Sequence, residues 1–203
     1  QNTFFAECFI DEMASVALRD PFEFRLDMLT ESPRAATVLR RAADLARWGQ
    51  LDDPNIGQGI ALCVDYGSVL AVVADVSVNE TTQEIRVHKL SAAVDCGLVI
   101  QPNGVRAQVE GGLLFGLSAA LFEEITIANG AVEQSNFFDY PVLYGQDAPE
   151  IAIEIVPRQD APGGMGEIAV GPVAPAIANA IYRLTNRRLR RLPLQTTIRQ
   201  ASD

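Results

Sequence analysis

Histidine and cysteine are scarce in this chain: one histidine, His88, and three scattered cysteines, Cys8, Cys63 and Cys96, in 203 residues. A tetrahedral zinc site, a CxxC redox pair or a cysteine-held iron–sulfur cluster needs more of these residues, or closer spacing, than the chain supplies. Any metal must therefore arrive in a cofactor that brings its own ligands. Basic residues are also short, 16 against 26 acidic, and the formal charge of −10 has the wrong sign for displacing counterions from nucleic acid. No apolar run approaches the roughly 20 residues of a membrane span, and no signal peptide opens the chain. The first residue is Gln1 rather than Met, as in a processed chain or a piece of a longer one. Three cysteines cannot all pair, which favours reduced thiols and a cytoplasmic over a periplasmic setting. GxSxG, GxxxxGK(S/T) and GxGxxG patterns are absent, so neither a nucleophile elbow nor a phosphate cradle is announced.

What remains is ordinary globular material, with 48% apolar residues and enough length to bury a core. Apolar residues recur at three- and four-residue spacing over 6–29, broken at Asp20-Pro21, an N-cap followed by proline at the first helical position. Ser32-Pro33 repeats that start signal before a helix ending near Trp48-Gly49, with Gly49 expected as its C-terminal cap. Residues 50–58 read as a linker. Strands are expected over 60–64, 69–78 and 84–94, which are rich in Val, Ile and Ala. A buried helix follows over 102–122, a hairpin at Asn129-Gly130, a strand over 151–156 and an amphipathic helix carrying Val173, Ile177, Ile181 and Leu184. The expected class is α+β: a helical N-terminal segment over 1–50, then an α+β region over 58–203 with a mixed sheet and packed helices.

Two features could carry chemistry. In Pro162-Gly163-Gly164-Met165-Gly166-Glu167 the glycines suit a sharp turn or a close backbone approach. Glu167, followed by an apolar run, is a candidate for a raised pKa and general-base work; alternatively it caps the next helix. On the 102–122 helix, Gln108, Gly112, Gly116 and Ala119 share one face. That face is either a channel where a polar ligand lies against backbone beneath the Gln108 amide, or a surface for close packing. The five arginines between 183 and 191 are expected in a solvated loop, with an acidic partner or a phosphate as the alternative. His88, in a strand between Val87 and Lys89, is the one histidine a hydrolase could use. Asp65, Asp75 and Asp95 show no metal-ligand spacing.

Taken in order, several segments resemble the C-terminal part of the molybdenum-cofactor-binding large subunit of the xanthine dehydrogenase and aldehyde oxidase family, nearest to the isoquinoline 1-oxidoreductase beta-subunit type. They are FIDEMASVALRDPFEFRLDML, VDCGLVIQPNGVRAQVEGGLLFGLSAALFEEI, NFFDYPVL, PEIAIEIVP and PGGMGEIAVGPVAPAIANAIYRLTNRRLRRLPL, which together cover almost the whole chain. The resemblance implies hydroxylation of an electron-poor carbon of a small aldehyde or N-heterocycle with oxygen from water, at a molybdenum–molybdopterin centre. It suggests the cytosine dinucleotide form of the pterin. By the same resemblance Glu167 is the general base, Gln108 hydrogen-bonds the pterin, and Gly112 and Gly166 line the cofactor site. No protein side chain ligates the metal. The implied partners are an iron–sulfur subunit carrying [2Fe–2S] clusters and the remainder of the large subunit; relatives of this kind are several times longer. Two positions depart from the family pattern: Ile168-Ala169 replaces Pro-Gly, and Gln101-Pro102 replaces Asn-Pro. The competing expectation is a cofactor-free structural or assembly module derived from the same family.

Overall fold

In the computed structural model, which describes residues 1–200, the chain opens with three helices: α1 (Asn2–Val16), α2 (Pro21–Met28) and α3 (Pro33–Ala46). The Asp20 carboxylate accepts the Phe22 and Glu23 amides and so caps α2, two of the donors a helix start leaves open. The stop of α3 differs from expectation. Arg47, in the left-handed region at φ 53°, closes the helix. Gly49 comes two residues later, at φ 72°, with its amide donated to Gln58 Oε1 at 2.8 Å.

Strands β1 (Gly57–Asp65), β2 (Ser68–Val78) and β3 (Ile85–Asp95) form an antiparallel meander, and β6 (Glu150–Ile155) adds in parallel beside β3. A parallel neighbour requires a crossover, here the stretch containing α4 (Pro102–Leu121) and the small hairpin β4 (Ile127–Ala128) and β5 (Ala131–Val132). The hairpin turns at Asn129 and Gly130, both at positive φ, as its sequence predicts. Helix α5 (Val173–Thr185) and a short α6 (Leu194–Gln200), which the sequence pattern does not announce, complete the fold. The class is α+β with a mixed sheet. Among the described residues no helix is long and apolar enough to cross a membrane.

Both faces of the sheet are covered. Leu70, Val72, Ala74, Leu90, Ala92 and Val94 join α4, α5 and α6 in one core. Val69, Ala71, Val73 and Ala93 point the other way, onto Ala35, Val38, Leu39 and Ala42 of α3. The N-terminal helices therefore do not stand apart from residues 58–203: α3 closes one face of the sheet, and α1 lies on α5 at the other. A buried charge network fastens that corner. Arg25 Nε donates to Glu7 Oε2 at 2.9 Å, Arg188 donates to Asp11 Oδ2 at 2.6 Å, and Glu7 Oε2 also accepts the Leu62 amide of β1.

The arginine-rich segment is solvated in part, with Arg183, Arg190 and Arg191 exposed, but four of its arginines also make contacts within the chain. Arg183 stacks over Trp48, Arg187 donates to Gln83, Arg188 packs on the Tyr182 ring as well as binding Asp11, and Arg190 pairs with Glu12. Arg188 and Arg190 thus hold the C-terminal tail against α1, while Arg183 and Arg187 reach Trp48 and Gln83.

Gly57 and Gly59 let α5 lie directly on β1. A Cβ at Gly59 would overlap the Ala176 carbonyl oxygen and the Ala180 amide nitrogen. Both are backbone atoms of a packed helix, so they cannot swing aside. We expect Gly59→Ala to destabilise the protein by about 3 kcal/mol or more. Gly145→Ala, where a Cβ meets nothing within 4 Å, should be near neutral. Urea-unfolding midpoints of the two variants check the difference.

Candidate functional site

The site is built where β3 and β6 end. At that edge the β1–β2 turn, with Tyr66 and Gly67 at positive φ, lies beside the turn that follows Asp95. The glycine-rich segment passes between them without forming a regular element. Leu98 N donates to the Asp160 carbonyl at 2.8 Å, Gly163 N to the Cys96 carbonyl at 2.8 Å, and Gly164 N to the Tyr66 carbonyl at 2.7 Å. Ser68 Oγ donates to the Gly164 carbonyl at 2.8 Å. This closeness explains the composition. A Cβ on Gly163 would overlap Ser68 Oγ and lie 2.6 Å from the Gly67 carbonyl oxygen; one on Gly164 would lie 2.8 Å from Tyr66 Cβ. Of the two structural options the glycines allowed, close approach is the one used.

Beyond the wedge the chain reaches α4. Gln108 Nε2 donates to the Gly166 carbonyl at 3.0 Å, across 58 positions of sequence. Gln108, Gly166 and Glu167 are all exposed, and a Cβ on Gly166 would meet nothing within 4 Å. Ile168 and Ala169 then turn inward and are buried. A Cβ on Gly112 would lie 2.9 Å from Ala169 Cβ, and one on Gly116 would lie 2.7 Å from the Val170 carbonyl oxygen. The glycine face of α4 is thus filled by the turn 168–170, so of its two readings, channel or close packing, the structure shows close packing at Gly112 and Gly116. Gly112 seats the turn that follows Glu167. Ile168-Ala169, the departure from the family pattern, is the pair that packs there.

Glu167 corrects two further expectations. Its apolar successors lie on the inner side of the turn, so the carboxylate faces outward instead of into an apolar pocket. Nor does it cap α5, which begins six residues later behind Pro172 without a side-chain cap; the Glu167 carbonyl accepts the Val170 amide in a local turn. The sequence brings Gln108, Gly166 and Glu167 to one surface and leaves Gly112 just beneath it.

One part of the site was not legible as such. Asp95, 1% exposed, ends β3 and receives a two-point fork from Arg34: Nε to Oδ2 at 2.9 Å and Nη2 to Oδ1 at 2.8 Å. Its Oδ1 also accepts the Gly97 amide at 2.9 Å, and Arg158 lies 3.6 Å from Oδ2. Burial by itself would push this carboxyl up; the Arg34 fork, the Gly97 amide and the two positive charges outweigh it and hold it below the ordinary aspartate value. The signal available in sequence was only an aspartate at a strand end, with its arginine 61 positions away.

The remaining candidates stand elsewhere. His88 is seven residues back along β3 and shares a 2.7 Å hydrogen bond with Ser77 Oγ on β2. Among the described residues no carboxylate bonds its other nitrogen, so the geometry of a hydrolytic triad is not assembled. Burial, reinforced by Asp11, pushes the Cys8 thiol up to about 12; burial likewise raises Cys63 and Cys96. Among the described residues no group of three or more His, Cys, Asp or Glu side chains could hold a metal ion. The exposed groups are hydrogen-bonding ones: a carboxylate, an amide and bare backbone. That donor set, beside the open space at Gly166, suits a cofactor that carries its own metal ligands.

Comparison with known proteins gives the following. Residues 46–149 match the model of the molybdopterin cofactor-binding domain; Gln108 and Gly112 lie inside the match, Gly166 and Glu167 beyond it. Isoquinoline 1-oxidoreductase subunit beta of Brevundimonas diminuta is 37% identical over 204 residues, 98% of this chain and 26% of that protein. The membrane-bound aldehyde dehydrogenase [pyrroloquinoline-quinone] of Gluconacetobacter polyoxogenes is 36% identical over 208 residues, 93% of this chain and 27% of that protein. The chain thus spans about a quarter of the length of these relatives. Quinoline 2-oxidoreductase from Pseudomonas putida 86 superimposes with a TM-score of 0.61 at 24% identity, covering 66% of this chain and 18% of that one, a likeness of fold.

The Asp95 arrangement has a consequence for acid stability. Its carboxyl is lower in the folded protein than the roughly 3.9 of an unfolded aspartate, so its contribution is present above about pH 4 and lost as pH falls further. Asp95→Asn should therefore be less stable than wild type at pH 7, and the gap should narrow steadily below pH 4. Urea midpoints measured from pH 7 to pH 3 check this; a gap independent of pH would contradict it.

Proposed function

The chain belongs to the molybdopterin cofactor-binding domain family of molybdenum hydroxylase large subunits, and from that premise we propose that it supplies the proton-accepting side of a molybdenum–pterin active site. One observation carries the proposal: the 3.0 Å bond from Gln108 to the Gly166 carbonyl, which sets Glu167 beside an open, bare-backbone surface. When bound, the pterin-held molybdenum supplies the redox chemistry that places water-derived oxygen on an electron-poor carbon of a small aldehyde or N-heterocycle.

The roles of the chain's own residues follow from their positions. Glu167 accepts, at a carboxylate oxygen, the proton that the water-derived oxygen gives up as it attacks carbon. Its outward orientation leaves that oxygen reachable, and the inward anchors Ile168 and Ala169 keep the backbone beneath it from shifting. Gln108 has donor and acceptor ends; Nε2 is committed to Gly166, and the amide oxygen is the group suited to a donor on the pterin. Gly166, lacking a side chain, leaves room for a planar ligand against the backbone. Gly112 acts indirectly, by letting the turn 168–170 seat on α4.

The low-dielectric surroundings a general base needs come from outside residues 1–200, since Glu167 is exposed in this chain. The remainder of a large subunit is the proposed source, in keeping with the quarter-length match to relatives. An iron–sulfur partner subunit with [2Fe–2S] clusters is the proposed electron outlet, because three dispersed cysteines hold no cluster. The cytosine dinucleotide form of the pterin is the proposed cofactor variant.

Glu167→Gln keeps size and hydrogen bonding but cannot accept the proton. In the assembled enzyme it should lower kcat by about 100- to 10,000-fold with molybdenum content unchanged. Turnover close to wild type would remove Glu167 from this role. Absence of molybdenum from an otherwise intact wild-type complex would instead favour a cofactor-free assembly module.

A further inference from the structure

Beside the proposed proton-transfer site lies a buried charged group that the mechanism does not use: Asp95, with Arg34 and Arg158. We propose that this cluster is the device that positions Glu167, so that a helix near the N-terminus controls a base near the C-terminus. The inference rests on Glu167 being the base.

The glycine-rich segment has almost no side chains with which to hold itself. Its location is fixed by backbone hydrogen bonds to the two flanking turns, and two of them, from Leu98 N and to the Cys96 carbonyl, involve the turn that Asp95 begins. That turn needs an organiser. Gly97 sits at φ 71°, and its own Cβ position is already occupied by the Ala161 carbonyl oxygen. Asp95 Oδ1 accepts the Gly97 amide and so fixes the turn from within. Arg34 holds the carboxylate by a planar fork and donates from Nη2 to the Asp95 carbonyl as well, at 3.1 Å, geometry that guanidinium supplies and ammonium does not. Arg158, also paired with Asp160, ties the same carboxylate to the irregular segment that follows β6 and enters the wedge. Asp95 therefore touches the wall and the segment it holds. Gly166 and Glu167 follow this clamped stretch by two and three residues, and Gln108 is the next fixed point.

A pair that merely stabilised the sheet end would change unfolding without changing chemistry. A positioning pair changes both the local mobility of 160–166 and kcat. The test uses the assembled, molybdenum-loaded enzyme with Asp95→Asn, and with Arg34→Lys in case the first variant fails to fold. Amide hydrogen exchange and steady-state kinetics are measured on each. We expect exchange at Leu98, Gly163 and Gly164 to accelerate about tenfold or more while β2 stays protected. kcat should fall about 10- to 100-fold, as a shift of about 1 Å in a reacting group produces, with KM and molybdenum content little changed. Arg34→Lys, keeping charge without the fork, should be intermediate on both readouts.

Unchanged exchange in these amides overturns the inference. Accelerated exchange with wild-type kcat overturns it too, provided Glu167→Gln is inactive. If Glu167→Gln proves active, the assignment of the base fails instead, and the exchange data alone still decide whether Asp95 holds the segment.

Discussion

Everything at the proposed site depends on one steric constraint: two turns at the end of the sheet approach a third stretch of backbone too closely for side chains to stand between them. Gly163, Gly164 and Gly97 satisfy that constraint, and backbone hydrogen bonds from both turns then fix the segment. Glycine loses much conformational freedom on ordering, so a segment of this composition holds its place only because the flanking turns are rigid. The rigidity comes from the hairpin register of β1 and β2 on one side and from the Arg34–Asp95 fork on the other. The same economy appears on α4, where Gly112 and Gly116 admit the turn 168–170. Two sets of absent side chains therefore bracket Glu167.

The arrangement divides labour between chain and cofactor. The exposed groups at the proposed site are an amide, a carboxylate and bare backbone, and among the described residues no group of three or more His, Cys, Asp or Glu forms a cage for a metal ion. The chain matches about a quarter of its relatives' length, and the open face at Gln108, Gly166 and Glu167 is where the proposed complete active site would be closed by other protein. The exposed position of Glu167 is intelligible on those terms. The burial expected from its apolar neighbours belongs to those neighbours, which point into α4.

Much of the fold was legible because the patterns were long and regular. β2 is buried on both faces through most of its length and reads as a nearly unbroken apolar run. The starts of α2 and α3 are marked by an acceptor side chain or serine followed by proline. The grouping of Gln108 with Gly166 and Glu167 was accessible only through family resemblance, since nothing in local spacing ties residue 108 to residue 166. What escaped was long-range polar pairing. Arg34 and Asp95 are 61 positions apart, Arg188 and Asp11 are 177 apart, and no periodicity connects them. The glycine face of α4 was ambiguous for a related reason: a groove and a packing surface share one sequence pattern, and the identity of the covering segment decides between them.

The most direct test of the central claim is the location of molybdenum in crystals of the loaded enzyme, by anomalous scattering at its absorption edge. A peak within about 5 Å of the Glu167 carboxylate, the reach of direct contact or one bridging water, with the Gln108 amide on the adjoining pterin, is the predicted result. Molybdenum more than about 10 Å from Glu167, beyond the reach of that proton transfer, would contradict it.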